Sequence, residues 1–165
     1  MENVVIRSSI ESDLPVIVEI YNDALINTTA IYMEEPFEFE ERKKWFHKKQ
    51  EEGWPMFTAM VGERIAGFST YGPFHERWGY RYTVEQSIYV HHDFRGMGIG
   101  KLLVQKLIDT ARQERRHALI ASVDSEITAS INLHLSMGYK EVGRFEEIGF
   151  KFARWLSVRC FELKL

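Results

Sequence analysis

The sequence has one cysteine, four prolines and no long apolar run among its 165 residues. A single cysteine, Cys160, excludes an internal disulfide framework and favours a reducing compartment, so we expect a cytoplasmic protein. No apolar segment approaches the roughly 20 residues of a membrane-spanning helix, and the first residues lack the apolar stretch of a signal peptide. The 21 basic and 24 acidic residues exclude a surface that is basic overall, so we expect neither nucleic acid nor membrane as a partner.

Hydrophobic residues make up 45% of the chain, and no repeat, low-complexity tract or Pro/Gly-rich linker interrupts it. We therefore expect a single domain over residues 1–165. Periodicity predicts elements in the order βααβββαβαββ, which is typical of the α/β (α+β) class with helices on a mixed sheet. The predicted strands are 4–6, 57–61, 65–71, 83–90, 118–123, 140–146 and 156–163, and the predicted helices are 12–25, 38–52, 101–115 and a short one ending at 137–138.

The loop before the helix at Lys101 carries three alternating glycines, Gly96, Gly98 and Gly100. Main-chain N–H groups at a helix N-terminus bind phosphate, and glycine lets a ligand approach closely. Arg95 and Lys101 add positive charge. The spacing fits neither the P-loop, which needs Ser or Thr after Gly-Lys, nor the Rossmann fingerprint, whose glycines are spaced by two and then three. The sequence therefore predicts a phosphate-binding loop of another kind.

This loop resembles the acetyl-CoA motif of the GNAT acetyltransferase superfamily, Arg/Gln-x-x-Gly-x-Gly/Ala, with Arg95, Gly98 and Gly100 at the matching positions. Further segments are similar to the phosphinothricin and methionine sulfoximine acetyltransferases of that superfamily. They are Ile20-Tyr21-Asn22, Thr28-Thr29-Ala30, Glu35-Pro36, Glu41-Arg42, Trp45-Phe46, Tyr80-Arg81, Thr83-Val84-Glu85, Ala129-Ser130-Ile131, Leu133-His134 and Gly138-Tyr139. The likeness extends over most of the chain.

The resemblance implies a GNAT-type sheet, mostly antiparallel, with two strands splayed apart at a coenzyme site. Acetyl-CoA would be the co-substrate, its pyrophosphate on the amides of Gly96 to Lys101 and its thioester carbonyl facing the Val90 N–H. The residues that the resemblance assigns to the coenzyme are Ile88, Tyr89, Val90, Arg95, Gly96, Met97, Gly98, Ile99, Gly100, Lys101, Ile127, Ser130 and Leu133. Ile127 stands where the family usually has asparagine, so one polar contact to the pantetheine arm is missing.

Two titratable residues are candidates for moving protons between an amine and a thioester. Glu85 lies within a strand, where a carboxylate is unfavourable unless it is paired or used. The resemblance places the general base there, and the alternative is an ion pair with Arg77 or Arg81. His134 stands where the resemblance places the acid for the leaving thiolate, and the alternative is a packed or capping histidine. We expect no metal, because the histidines and Cys160 lack zinc-ligand spacing.

Two loops rich in aromatic and charged residues, 27–36 and 72–81, are predicted to form the acceptor pocket. The candidate residues are Thr28, Tyr32, Phe37, Arg77, Trp78, Tyr80 and Arg81, together with Glu85. Arginine forks suit a carboxylate, although the aromatics could belong to the core and the arginines to the solvated surface.

Our first hypothesis is therefore direct acetyl transfer to the primary amine of a small amino acid or analogue. The alternatives are another amine (a polyamine, an aminoglycoside or a protein N-terminus) or a non-catalytic CoA-binding sensor. Because the last strands often form a dimer edge in the family, the resemblance also implies a homodimer.

Overall fold

The computed structural model describes residues 3–165, which form seven strands and four α-helices. The strands are β1 (Val4–Ser8), β2 (Met56–Val61), β3 (Arg64–Pro73), β4 (Thr83–Val90), β5 (Ala118–Asp124), β6 (Lys140–Lys151) and β7 (Arg154–Lys164). The helices are α1 (Leu14–Asn27), α2 (Phe39–Glu51), α3 (Ile99–Gln113) and α4 (Thr128–Ser136). Within residues 3–165, no helix combines the length and the apolar character that crossing a bilayer requires.

The strands form one sheet in the order β1-β2-β3-β4-β5-β7-β6. Among the described strands, only β4 and β5 run parallel, and the other neighbours are antiparallel. The parallel pair is short: it joins Thr83–Glu85 to Ala118–Ile120, and the two strands then diverge. The predicted fold class is confirmed, including the mixed, mostly antiparallel sheet with one splayed pair.

Helices cover both faces of the sheet because each presents an apolar stripe to it. On one face, α3 buries Leu103, Leu107 and Ala111 at helical spacing, and they pack with Leu119 and Phe161 of the sheet. On the opposite face, α1 and α2 form a second cluster, which contains Leu14, Ile17, Ile20, Phe46, Met56 and Phe68. Strand residues alternate between these two clusters, so neighbouring positions of β4 belong to different sides of the molecule.

The entry into α1 is fixed by a buried carboxylate. Asp13 accepts hydrogen bonds at 2.7 Å from both Nη atoms of Arg7 on β1, and others from the Ile10 N–H at 3.0 Å and Thr58 Oγ1 at 3.1 Å. Asp13 is buried, whereas the Arg7 side chain is partly exposed. This pair ties the first strand to the first helix.

Element boundaries differ from the sequence-based expectation at two places that matter for the site. Helix α3 begins at Ile99, two residues earlier than predicted, because Gly98 adopts the left-handed conformation (φ +80°) at the N-cap. Strand β6 continues to Lys151 instead of ending near residue 146. Glu147 has positive φ (+50°) and the pairing with β7 shifts register between Phe145 and Gly149, so the apolar residues of the extension are out of phase with those before it.

Candidate active site

A cavity of about 970 Å³ opens where β4 and β5 diverge. Ser87 and Ser122 line it from the two separating strands, and Thr28 lines it from the end of α1. The lining also contains the residues assigned to a coenzyme from the sequence, which are Ile88, Tyr89, Val90, Arg95, Gly96, Gly98, Ile99, Gly100, Lys101, Ile127, Ser130 and Leu133. Met97 is the exception, because its side chain is 53% exposed and lies outside the lining.

The glycine loop is open at two of its glycines and tightly packed at the third. Gly96 and Gly98 both have positive φ (+79° and +80°), and an added Cβ at either would meet nothing within 4 Å. A Cβ at Gly100 would instead lie 3.1 Å from Leu133 Cδ2 of α4. Gly96 and Gly98 therefore supply the turn and the open approach to the N-terminus of α3, whereas Gly100 lets α3 pack close to α4.

Positive charge collects at this helix N-terminus. Lys101 lines the cavity in the first turn of α3, where the helix dipole favours anions. Its own N–H is engaged with the Gly98 carbonyl at 3.1 Å, so its contribution to an anion is the side-chain ammonium. Arg95 is held beside it, with Nε 3.4 Å from the Val90 carbonyl and Nη2 3.2 Å from the Asp23 carboxylate on α1. Beyond Glu85, β4 also has no strand paired on its β5 side. A ligand with phosphates and an amide-bearing chain fits this set of groups.

The candidate base, Glu85, lies on the α1 face of the sheet beside the gap. Its side chain is half-buried, and its Oε1 accepts a hydrogen bond of 2.7 Å from Ser122 Oγ. The alternative ion pairs are not formed within the described chain. The Arg81 guanidinium stacks on the rings of Trp78 at 3.4 Å and Tyr82 at 4.4 Å. Glu85 itself is outside the cavity lining, and it is joined to the lining by the hydroxyl of Ser122 rather than by an arginine.

His134 belongs to α4, on the opposite side of the sheet from Glu85; it lines the cavity and is only 3% exposed. Its Nδ1 is 2.7 Å from the Ser130 carbonyl, which can only accept, so Nδ1 carries the proton. The other ring nitrogen, Nε2, accepts a hydrogen bond of 3.0 Å from Nε2 of the Gln86 amide. The Oε1 atom of Gln86 in turn accepts a hydrogen bond from the Tyr139 hydroxyl. Burial lowers the pKa of His134, with the Ser130 hydrogen bond opposing this in part.

The neutral tautomer of His134 has consequences for the predicted acid. Its only ring proton is engaged with a main-chain carbonyl, and its other nitrogen is an acceptor. No proton is therefore directed into the cavity from this ring. The geometry favours the alternative stated above, a packed histidine, which here orients Gln86 at the point where β4 leaves β5.

The predicted acceptor residues separate into two groups. Thr28 lines the cavity, and Tyr32 donates a hydrogen bond to Asp124 at the end of β5. The ring of Phe37 lies 3.9 Å from the Arg42 guanidinium and is outside the lining.

The second group, which consists of Arg77, Trp78, Tyr80 and Arg81, lies outside the lining too. These residues precede β4 at the end opposite Val90, and Trp78 is 76% exposed. Stacking explains their position, because Tyr80 packs on Phe74 and His75 while Arg81 lies over Trp78.

Sequence reasoning missed two buried charges beside the cavity. Asp124, 5% exposed, accepts hydrogen bonds from Thr29 Oγ1 at 2.9 Å and from Tyr32. Its place directly after a buried run was a usable signal. Lys151 is fully buried and binds main-chain carbonyls more than a hundred residues earlier in the chain. Its own sequence environment carries no signal of that.

A second cluster lies just before the glycine loop. His91, His92 and Asp93 bring ligand-type atoms within 4.8 Å of one another, although the two histidines alone lack useful spacing in the sequence. The Asp93 carboxylate is already paired with Arg64 at 2.5 Å. The two imidazole rings stack with their centroids 4.3 Å apart.

Among the described strands the one parallel pair, β4 and β5, diverges beside the glycine-rich N-terminus of α3, which is the arrangement that the resemblance to acetyltransferases implies for a coenzyme site. The sequence matches the model of the acetyltransferase (GNAT) family over residues 16–139, and the chain belongs to that family. It is 41% identical to the L-methionine sulfoximine/L-methionine sulfone acetyltransferase of Pseudomonas aeruginosa over 162 residues, which are 97% of this chain and 94% of that protein.

Two solved structures extend the comparison. A GNAT superfamily phosphinothricin acetyltransferase from Sinorhizobium meliloti, in complex with AcCoA, matches with a TM-score of 0.95 and 31% identity, covering 100% of this chain and 89% of that one. A ribosomal-protein-alanine N-acetyltransferase from Brucella melitensis matches with a TM-score of 0.95 and 39% identity, covering 98% and 99%. The predicted family and the acetyltransferase activity are therefore confirmed.

Proposed function

We propose that this chain transfers the acetyl group of acetyl-CoA directly to the primary amine of a small amino acid or analogue, of the methionine sulfone, methionine sulfoximine or phosphinothricin type. One observation carries the proposal: a single cavity connects the anion-binding N-terminus of α3 with the face of the sheet that bears Glu85. The names of the relatives at 41% and 31% identity support the acceptor class.

The coenzyme end of the cavity supplies binding and orientation. The amides of residues 96–100, with the side chains of Arg95 and Lys101, hold the pyrophosphate by charge-assisted hydrogen bonds. The free edge of β4 offers main-chain groups at Ile88 and Val90 to the amides of the pantetheine arm. The Val90 N–H then faces the thioester carbonyl and stabilises the oxyanion that develops there. Ile127 contributes an apolar wall in place of the usual asparagine.

Glu85 is proposed as the general base, directly or through one water. Its carboxylate takes a proton from the acceptor ammonium, and the Ser122 hydrogen bond to Oε1 leaves Oε2 directed to that proton. The amine nitrogen then forms its bond to the acetyl carbon as the C–S bond breaks. The nitrogen loses a second proton in this step, which neutralises the thiolate, so the reaction balances without a proton from His134.

A panel of amines tests the proposal through the release of CoA thiol from acetyl-CoA. We expect turnover with methionine sulfone, methionine sulfoximine or phosphinothricin. Turnover only with a peptide beginning in alanine would favour protein N-terminal acetylation, the second candidate, which the name of the Brucella melitensis neighbour supports. Tight acetyl-CoA binding with no turnover on any amine would leave a CoA-binding sensor and refute the proposal.

A matched pair of variants tests the base. Glu85→Gln should lower kcat/KM for the amine by about 10²–10⁴-fold and leave the Kd of acetyl-CoA unchanged. Glu63→Gln, in the β2–β3 turn, makes the same chemical change far from the cavity and should behave like the unaltered chain. Full activity in Glu85→Gln would remove Glu85 from this role.

The proposal also covers the state of the protein: each chain folds as one domain over residues 1–165, and two chains form a homodimer in the cytoplasm. Exposed apolar side chains on β6 and β7 support a second copy as the partner, since a patch of this kind marks an interaction surface. They are Val142, Phe145, Ile148, Phe150 and Trp155, each at least 55% exposed. The mass in solution by light scattering tests this, and a monomer at micromolar concentration would contradict it.

A further inference from the structure

Lys151, at the end of β6, is a buried cation that the proposed mechanism does not use. Its side chain is completely inaccessible, and its Nζ donates hydrogen bonds to the carbonyls of Leu25, Thr28 (2.9 Å) and Ile31 (2.7 Å). Leu25 belongs to the last turn of α1, Thr28 follows the helix directly, and Ile31 lies three residues further along the chain. An ammonium group suits this position, because the terminal carbonyls of a helix lack intrahelical donors and carry the negative end of its dipole.

The same segment is held from its other side by a buried anion. Asp124, at the end of β5, accepts hydrogen bonds from Thr29 Oγ1 at 2.9 Å and from the Tyr32 hydroxyl. Gly149 of β6 makes room for this tyrosine, since an added Cβ there would lie 2.2 Å from the Tyr32 ring. Residues 25–32 are therefore fixed by a lysine and an aspartate that come from two different strands.

This segment faces the acceptor side of the cavity. Asp124 shares a face of the sheet with Glu85, because Glu85 lies beside Ile120 in the parallel pair and alternate residues of β5 point the same way. Thr28, Ala30 and Asp124 line the cavity there, whereas the cationic glycine loop lies at the N-terminus of α3. Movement of residues 25–32 would therefore change the space beside the base more than the phosphate site.

We propose that Lys151 is a positioning residue for the acceptor amine: together with Asp124, it holds residues 25–32 as a fixed wall beside Glu85. The inference rests on the proposed function for the identity of that side of the cavity. Full burial of a charged lysine is costly unless every donor is satisfied. Here the ammonium has three carbonyl acceptors, so its loss frees the segment at three points rather than one.

Lys151→Met tests the inference, with Lys140→Met on the exposed start of the same strand as the matched control. In Lys151→Met we expect KM for the amine to rise about tenfold or more, by misplacement of the wall, with the Kd of acetyl-CoA unchanged. Amide hydrogen exchange should accelerate within residues 25–32. Lys140→Met should change none of these quantities.

A loss of stability alone would not move these readouts selectively. If Lys151→Met lowers Tm but leaves both the amine KM and the exchange of residues 25–32 unchanged, the inference is overturned. If Lys151→Met does not fold, Tyr32→Phe is the substitute test. It removes the hydrogen bond from Tyr32 to Asp124, and we expect smaller changes of the same kind in the amine KM and in the exchange of residues 25–32. An unaltered chain that acetylates no amine refutes the proposed function, whereas an active chain whose KM is insensitive to both variants refutes only the positioning role.

Discussion

Gly67 is the point where β3 approaches the end of β4 most closely. It lies opposite Val90 in the antiparallel pair. A Cβ built at Gly67 would be 2.7 Å from the Tyr89 carbonyl oxygen, 3.2 Å from Val90 Cα and 3.3 Å from Leu103 Cδ1. The nearest obstacle is main chain and cannot rotate away. We therefore predict that Gly67→Ala displaces the end of β4, where the proposed oxyanion donor lies.

The size of the effect follows from the contact distance. An ordinary van der Waals contact begins at 3.4 Å, so the Tyr89 carbonyl and the new methyl must separate by about 0.7 Å. Overpacking of this kind costs about 1–3 kcal/mol of unfolding free energy, which for a chain of this length lowers Tm by roughly 2–12 °C. Because a misplacement of about 1 Å can cost on the order of 10² in rate, kcat/KM should fall between about tenfold and a hundredfold.

Calorimetry and thiol-release kinetics measure the two effects separately. Gly79→Ala is the control, since a Cβ at Gly79 meets nothing within 4 Å and its φ is not in the left-handed region. It should leave both Tm and kcat/KM unchanged. A Gly67→Ala protein with unaltered Tm would show that the strands absorb the methyl group without strain. A lowered Tm with full activity would refute the dependence of the rate on the position of Val90.

Two other predictions concern buried polar groups. Arg7→Met should cost about 3–5 kcal/mol of unfolding free energy in urea titration, because it leaves the buried Asp13 carboxylate without a positive partner, with only the Ile10 N–H and the Thr58 hydroxyl still donating to it. Asp13→Asn should cost less, about 1–3 kcal/mol, because the partly exposed Arg7 can turn to water; the reverse order would contradict this. Since burial depresses the pKa of His134, folding loses stability as pH falls below about 6.5, by at most about 1.4 kcal/mol per unit. His134→Gln should flatten that acid limb of Tm, and an equally steep limb would contradict the depressed pKa.

Local patterns predicted the elements whose periods match their burial. Helix α3 repeats apolar residues at helical spacing, and β5 is a nearly continuous apolar run, so both were predictable to within two residues. The turn at Gly62-Glu63 and the helix end at Gly138 also follow from the sequence, and both glycines have positive φ. The second half of β6 was not predicted, because the register shift between Phe145 and Gly149 puts the apolar residues Ile148 and Phe150 out of phase with Phe145.

The residues of the site also fall into those that local sequence predicts and those that depend on distant contacts. The glycine loop is local in sequence, so its residues were found together and, apart from Met97, they line one cavity. The role of His134 depends on Gln86 and on the Ser130 carbonyl, which set its tautomer and are not visible in a motif. Arg81 was expected beside the acceptor because it lies in the 72–81 loop and its guanidinium suits a carboxylate, but stacking on Trp78 holds it elsewhere. Burial of Lys151 needs acceptors from a distant segment, which no local pattern announces.

The gap between β4 and β5 has a consequence for how freely this chain can diverge. Residues 86–90 have no strand paired on the β5 side of β4, so the groups that face the gap are peptide N–H and C=O groups, which every residue except proline supplies. Replacement of a side chain there leaves these groups in place. Acceptor preference is thus free to drift by substitution around Glu85 while coenzyme binding persists. A proline within residues 86–90 is the substitution we expect to impair coenzyme binding, because proline has no main-chain N–H to offer.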